Sequence, residues 1–472
     1  MAARSPLIVL TLAGLFTAGC AVGPDYHPPK LDVAAAGPFV SAATSATSVE
    51  APPATWWRLY QDPVLDDLVR RALTENADLK VAAANLAYAQ ALAGEARAGY
   101  FPSTTLGAGA TYGEVGAAKP RTSYEAGFVA AYQVDLFGRI RRSVEAARAS
   151  AEVAKATEDA VRVTVAAETT GAYVNVCAYA QEADVARRSL TMAQQTYDIL
   201  DKQHALGAVS DLDLARQATL LDQARAAVPG LEGQRRAALF ELAALTGRPP
   251  AELPTEAAGC AAPPRLAKAI PVGDGASLIR RRPDVRSAER QLAAATARIG
   301  VATADLFPSV SLGGSANSTA ANTSGLGRSA AVSYSVGPLV SWSFPNILVA
   351  RAHVKEISAQ ASAALAGFDG TVLRALKEIE QALTGYQAEL QRHDALASAR
   401  EHAAVAYGLA QTQYRLGAIS FLDMLQAQAT LIGAEQALAG SDQALSADQI
   451  AVFQALGGGW QDAPTVIAPR AG

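Results

Sequence analysis

Cysteine occurs only three times and histidine five times in the 472 residues. His27, His204, His353, His393 and His402 are isolated from one another, so no metal-ligand spacing forms, and no Cys-x-x-Cys pair offers redox chemistry. Aromatic residues make up 6% of the chain, too few for a bulky globular core. Abundant Ala and Leu at helical spacing suit long packed helices instead. No basic run stands out and the net charge is −4, which argues against nucleic acid as a partner. Gly457-Gly458-Gly459 lacks a following Lys-Ser/Thr and is no phosphate loop. No Ser-His-Asp order or paired carboxylates in a pocket-forming context can be made out. The sequence therefore assigns no catalytic residue, no cofactor and no metal.

What is present begins at the amino terminus. Arg4 precedes a short apolar run, Leu7 to Phe16, and then Thr17-Ala18-Gly19-Cys20. The run is too short to span a membrane as a helix, so residues 1–19 read as a secretory signal. Cys20 at the cut resembles the lipobox of bacterial lipoproteins, where the cysteine becomes the acylated first residue. Ala21 in place of Asp fits sorting to the outer membrane. Residues 20–61, rich in Pro, Ala, Ser and Thr up to about residue 55, read as an extended arm ordered only where it lies against something.

Two stretches alternate with period two. In 103–134, Leu106, Ala108, Ala110 and Tyr112, then Tyr124, Ala126, Phe128, Ala130 and Tyr132, oppose small or polar neighbours. In 309–342, Val310, Leu312, Val332, Tyr334, Val336, Val340 and Trp342 alternate with Ser and Gly. Each run is about the 9–11 residues that a tilted strand needs to cross a bilayer, and one apolar face is what a membrane barrel turns to lipid. Pro338 is expected at an end of the fourth strand or beside an irregularity, because it lacks a donor.

The remainder reads as helix. Asp62-Pro63 starts one that continues toward Gly99. Arg139 to Leu206 contains no Pro and only Gly171, which leaves room for a helix of about 68 residues, or about 100 Å. Such a length must pack sideways as a coiled coil. A shorter helix, 211–246, is expected to be interrupted at Pro229-Gly230, and a loop follows over 249–271. The second half repeats the first: helix 283–306, strand hairpin 309–342, long helix 346–416, helix 421–456, with a tail at 461–472. Phe101-Pro102-Ser103 answers Phe307-Pro308-Ser309, an offset of 206, and Gln217-Ala218-Thr219-Leu220 answers Gln428-Ala429-Thr430-Leu431, an offset of 211. The chain thus divides into two repeats, 62–271 and 272–460, of a mixed fold with β-barrel strands and a long α-helical layer.

Four strands cannot close a membrane barrel, since the smallest known have eight, and an open edge in lipid strands amide and carbonyl groups. Two copies give eight strands, whose interior holds only side chains. Three copies give twelve strands and a water-filled lumen, so a homotrimer is expected. In an oxidising compartment, Cys177 and Cys260, the two cysteines left after lipidation, are expected to pair and pin the Pro-rich loop to the long helix; free thiols are the alternative.

Several words in register resemble the TolC-type outer-membrane efflux proteins, in the lipoprotein branch that serves RND multidrug pumps. They are Cys20 with Gly23-Pro24-Asp25-Tyr26, Trp56-Trp57, Asp62-Pro63, Asp135-Leu136-Phe137-Gly138-Arg139, Arg282-Pro283-Asp284-Val285-Arg286, and Leu456-Gly457-Gly458-Gly459-Trp460. The resemblance implies a trimeric duct in the outer membrane of a Gram-negative bacterium. Its helical barrel crosses the periplasm and docks on an adaptor protein and an inner-membrane RND pump, with outer-membrane lipid around its strands. It also implies a periplasmic gate at the duplicated turns. Asp423 falls on a position carrying an acidic ring, and Tyr414 and Asp213 fall on a pair that links one hairpin to the other. This chain departs from the pattern at Gln426, which replaces a second acidic position, and Ile419, which replaces a basic one. Closure is then expected to draw on packing from Leu416, Phe421, Leu422 or Leu425, and the plainer role of Asp213 and Asp423 is to cap the helices after the turns. A non-conducting coiled-coil lipoprotein is the rival reading, and four lipid-facing runs count against it. A periplasmic enzyme on a helical scaffold is a third reading, with no candidate site.

Overall fold

The computed structural model describes residues 21–30, 32–42, 46–114, 120–342 and 347–468; the expected signal segment and Cys20 lie outside them. The elements are α1 (Pro63–Glu75), α2 (Ala77–Ala98), β1 (Ser103–Gly113), β2 (Arg121–Val134), α3 (Arg139–Ala205), α4 (Asp211–Leu245), α5 (Gly275–Arg281), α6 (Pro283–Ala304), β3 (Ser309–Ala320), β4 (Val332–Ser341), α7 (Ile347–Arg415) and α8 (Phe421–Ala455). Two compact units arise. One holds the segment up to Lys30 with Asn85–Lys155 and Ser287–Gly370; the other holds Leu31–Ala84, Ala156–Arg286 and Thr371 onward.

In the first unit the strands form an antiparallel sheet in the order β1-β2-β3-β4. Pro338 lies within β4 opposite Leu312 rather than at its end, and β4 is an edge strand of this sheet, where the missing donor is tolerated. Stacked Phe137 and Phe307, 4.5 Å apart, close the sheet's base. Asp135 starts α3 by accepting from the amides of Ile140 and Arg141, both at 2.9 Å. Residues 21–26 of the arm are held here. Arg142, with only 4% of its side chain exposed, pairs with Asp25 at 2.7 Å, and Tyr26 donates to Glu289 at 2.9 Å. Gly23, at φ +88°, lies so close to Gly300 that a Cβ would collide with that backbone.

The second unit contains the main apolar core, where Trp56 stacks on Phe453 (4.7 Å) among Leu65, Leu68, Ile379 and Leu383. Cys177 and Cys260 form a disulfide that fixes the 249–271 segment to α3. The arm also supplies Thr47–Ser48, which pairs in parallel with Ile270–Pro271.

Two helix readings need correction. The helix expected from Asp62 to Gly99 breaks at Asn76, a buried residue with ψ 137°. Its side-chain oxygen accepts from the amides of Asp78 and Leu79 while its Nδ2 donates to the Leu245 carbonyl (3.2 Å), so it caps the second helix and ties it to α4. Conversely, α4 runs uninterrupted through Pro229. Proline costs a helix interior about 3 kcal/mol, yet Leu221 and Ala224 on one side and Leu239 and Leu242 on the other are buried. Pro229 itself faces solvent, where water meets the freed carbonyl. Packing on both flanks outweighs the local penalty.

Candidate functional site

The sheet presents one apolar row across all its strands. Leu106 pairs with Phe128, Phe128 with Ala316, and Ala316 with Tyr334. These side chains do not pack into a core: Leu106 is 83% exposed, Phe128 45% and Tyr334 84%. Val336, Val340 and Leu312 continue the exposed apolar face. On the opposite face Gly107, Gly127, Asn317 and Ser333 share a row, and the Ser315 and Ser335 hydroxyls bond at 2.9 Å. A contiguous apolar sheet face left open to this extent marks a surface meant for a non-aqueous neighbour. Among the described residues no helix is long and apolar enough to cross a membrane.

The second site is the pair of turns in the other unit. After α3, Gly207 takes φ +74°, its amide bonding the His204 carbonyl at 2.8 Å and that of Ala208 the Gln203 carbonyl at 2.9 Å. After α7, Gly417 takes φ +72° and repeats both bonds, to Tyr414 and Gln413, each at 2.9 Å. Only glycine enters this left-handed conformation freely, and it ends each helix. Ser210 and Ser420 then cap α4 and α8 by accepting from the amides of Asp213 and Asp423. Their hydroxyls donate back to the two carboxylates at 2.8 and 2.6 Å.

Asp423 completes a capping box by accepting from the Ser420 amide at 3.0 Å, whereas the Asp213 carboxylate accepts from the Ser210 hydroxyl and meets Arg216 at 3.4 Å. The Ser420 hydroxyl and amide hold the Asp423 carboxyl below its ordinary value. A depressed pKa of this kind stabilises the cap at neutral pH and is lost only as acid protonates the group. The Tyr414 hydroxyl does not reach Asp213 in a hydrogen bond. It donates to Gln203 at 3.2 Å, which joins α7 to α3, and burial followed by the Asp213 charge raises its pKa.

Behind the turns Leu200, Phe421 and Met424 are buried together, with Ile419, Leu425 and the Tyr414 ring against them. The Tyr414 and Phe421 rings meet edge-on at 5.8 Å. Of the side chains named for apolar closure, Phe421 and Leu425 join this cluster, while Leu416 is 78% exposed and Leu422 is 38% exposed.

Sequence reasoning missed Gln203 and the role of two repeated glutamines. Gln217 and Gln428 are wholly buried. Gln217 donates to the Ala193 carbonyl at 2.8 Å, and Gln428 accepts from Thr196 at 3.4 Å. The signal was available, since both lie in the repeated Gln-Ala-Thr-Leu word. Among the described residues no group of three or more His, Cys, Asp or Glu is placed to hold a metal ion.

The family model described as outer membrane efflux protein matches residues 68–248 and 276–458. Nodulation protein T of Rhizobium leguminosarum bv. viciae is 31% identical over 463 residues, covering 97% of this chain and 94% of that protein. The toluene efflux pump outer membrane protein TtgC of Pseudomonas putida is 30% identical over 484 residues, covering 97% and 96%. The solved outer-membrane channel OprN superposes with a TM-score of 0.87 at 36% identity, covering 94% of this chain and 100% of that one.

Proposed function

The chain belongs to the outer membrane efflux protein family, and from that premise we propose that three copies form the outer-membrane exit duct of a tripartite efflux system. Each copy contributes its four strands to a twelve-stranded barrel, and α3, α4, α7 and α8 build the periplasmic helical barrel. The outer membrane of a Gram-negative bacterium is its place, and Cys20 supplies an acyl tether there. Small molecules reach the duct from a periplasmic adaptor and an inner-membrane RND pump and pass through without catalysis. Energy comes from the pump.

The observation that carries this reading is the exposed row Leu106–Phe128–Ala316–Tyr334. Such a row has no use in a periplasmic spacer, and its edges are satisfied only when β4 of one copy meets β1 of the next. Two matches of one family model, in separate halves of the chain, support descent of the two repeats from a single unit. Purified protein in planar bilayers is expected to carry stepwise single-channel current. Membrane insertion without any current, in the wild type and in variants altered at the turns, would support the non-conducting lipoprotein instead.

The same recording tests the gate assigned to Asp213, Tyr414 and Asp423. Tyr414→Phe removes the bond from α7 to Gln203. Losing one neutral hydrogen bond is worth ~1 kcal/mol, which moves an open–closed equilibrium about fivefold toward open. Asp423→Ala removes the Ser420 capping box and is expected to raise conductance as well. Unchanged conductance in both variants would transfer closure to the apolar side chains Leu416, Phe421, Leu422 and Leu425.

A further inference from the structure

Helices α3, α4 and α8 surround an open cavity of about 430 Å3 lined on α4 by Ala226, Gly230 and Leu231, within the second unit. Val185, Ala186 and Leu231 give it apolar walls, and Glu182, Gln234 and Gln436 give it polar groups. This volume lies within the range of small-molecule sites, which are mostly apolar with a few placed polar atoms.

Glu182 is half-buried, and burial alone pushes its carboxyl up from the ordinary glutamate value. Neighbouring cations on α3 are engaged elsewhere: Arg187 bonds Glu232 at 2.6 Å, and Arg188 pairs with Asp184. A carboxylate drawn out of water without a cation is an unfavourable arrangement that a donor ligand relieves. The cavity thus offers acceptors and hydrocarbon, with a single negative charge. One carboxylate is too few for Ca2+ or Mg2+, which need six or more oxygen ligands.

We infer that this cavity binds small amphipathic amines, with the ammonium donating to Glu182 and its hydrocarbon lying against Val185, Ala186 and Leu231. An alkyl- or arylammonium of compact shape satisfies both halves of the lining. The inference does not rest on the transport reading, and the site is separate from the strand face and from the two turns.

The test is isothermal titration of the full-length protein in lipid nanodiscs with 1-adamantylamine, using 1-adamantanol as the uncharged counterpart. Wild type is expected to bind the amine saturably. Glu182→Gln keeps the shape and removes the charge, so it should melt no lower than wild type. It is expected to weaken amine binding about tenfold, as for loss of a charge-assisted hydrogen bond, and to leave the alcohol unaffected. Ala226→Phe, at an exposed wall position, fills the cavity and is expected to abolish binding of both. Absence of saturable amine binding by wild type, or equal amine affinity in Glu182→Gln, would overturn the assignment.

Discussion

Phe128→Arg is expected to prevent assembly of the membrane-embedded form, whereas Ser333→Arg is expected to leave it intact. Phe128 sits mid-strand in β2, in register with Leu106 and Ala316 on the exposed apolar face. An Arg facing hydrocarbon near the bilayer midplane costs about 2–4 kcal/mol, and the proposed trimer would carry the substitution three times. That sum is comparable to the whole stability of an ordinary domain, about 5–15 kcal/mol. Ser333 occupies the other face, opposite Asn317, where an added charge would meet water in the lumen of the proposed barrel. Extraction of outer membranes followed by protease challenge separates the two outcomes. Equal amounts of protease-resistant, membrane-embedded protein for both variants would mean that the two faces do not differ in environment, and the barrel reading would fall with that result.

The strand faces were legible because period two survives any tertiary context: a one-residue slip would turn every apolar side chain to the wrong side. The turn glycines were legible from their repeated context, since Leu206-Gly207-Ala208 answers Leu416-Gly417-Ala418. Asn76 was not, because it stands inside an unbroken apolar period, and its capping role depends on Leu245, distant in sequence. Pro229 misled in the opposite direction. Its local penalty is real, but buried leucines on either side hold the helix together, and sequence alone does not weigh them. At the turns, the family resemblance pointed to Tyr414 and Asp213, and in this structure the Tyr414 hydroxyl donates to Gln203. The Tyr414 ring packs against Leu200, Phe421 and Met424, contacts that sequence alone does not reveal.

Arg282→Met is expected to destabilise the second unit by about 3 kcal/mol, the lower end for breaking a buried ion pair. Arg282 is 8% exposed and stands between α5 and α6. Its Nε and Nη2 donate to Asp284 at 3.0 and 2.7 Å, Nη2 also reaches Glu378 on α7 at 2.7 Å, and Nη1 reaches the Ala455 carbonyl at the end of α8 at 2.9 Å. Burial works against the charge of Arg282, but Asp284 and Glu378 outweigh it and raise its pKa; burial likewise works against Asp284, which Arg282 nonetheless holds below its ordinary value. Methionine fills similar volume but leaves two carboxylates facing each other and one carbonyl without its donor. Both carboxylates are about 40% exposed, so water recovers part of the loss, which is why the low end applies. Arg282→Lys keeps the charge but cannot fork to Asp284 while reaching Glu378 and Ala455, so it should fall between wild type and Met. Chemical unfolding of the full chain measures the order, and a Met variant as stable as wild type would show that these helices are held together by the neighbouring apolar core alone. The Arg-Pro-Asp word then has a physical content: proline opens α6, aspartate orients the guanidinium, and arginine binds the start of α6 to the middle of α7 and the end of α8.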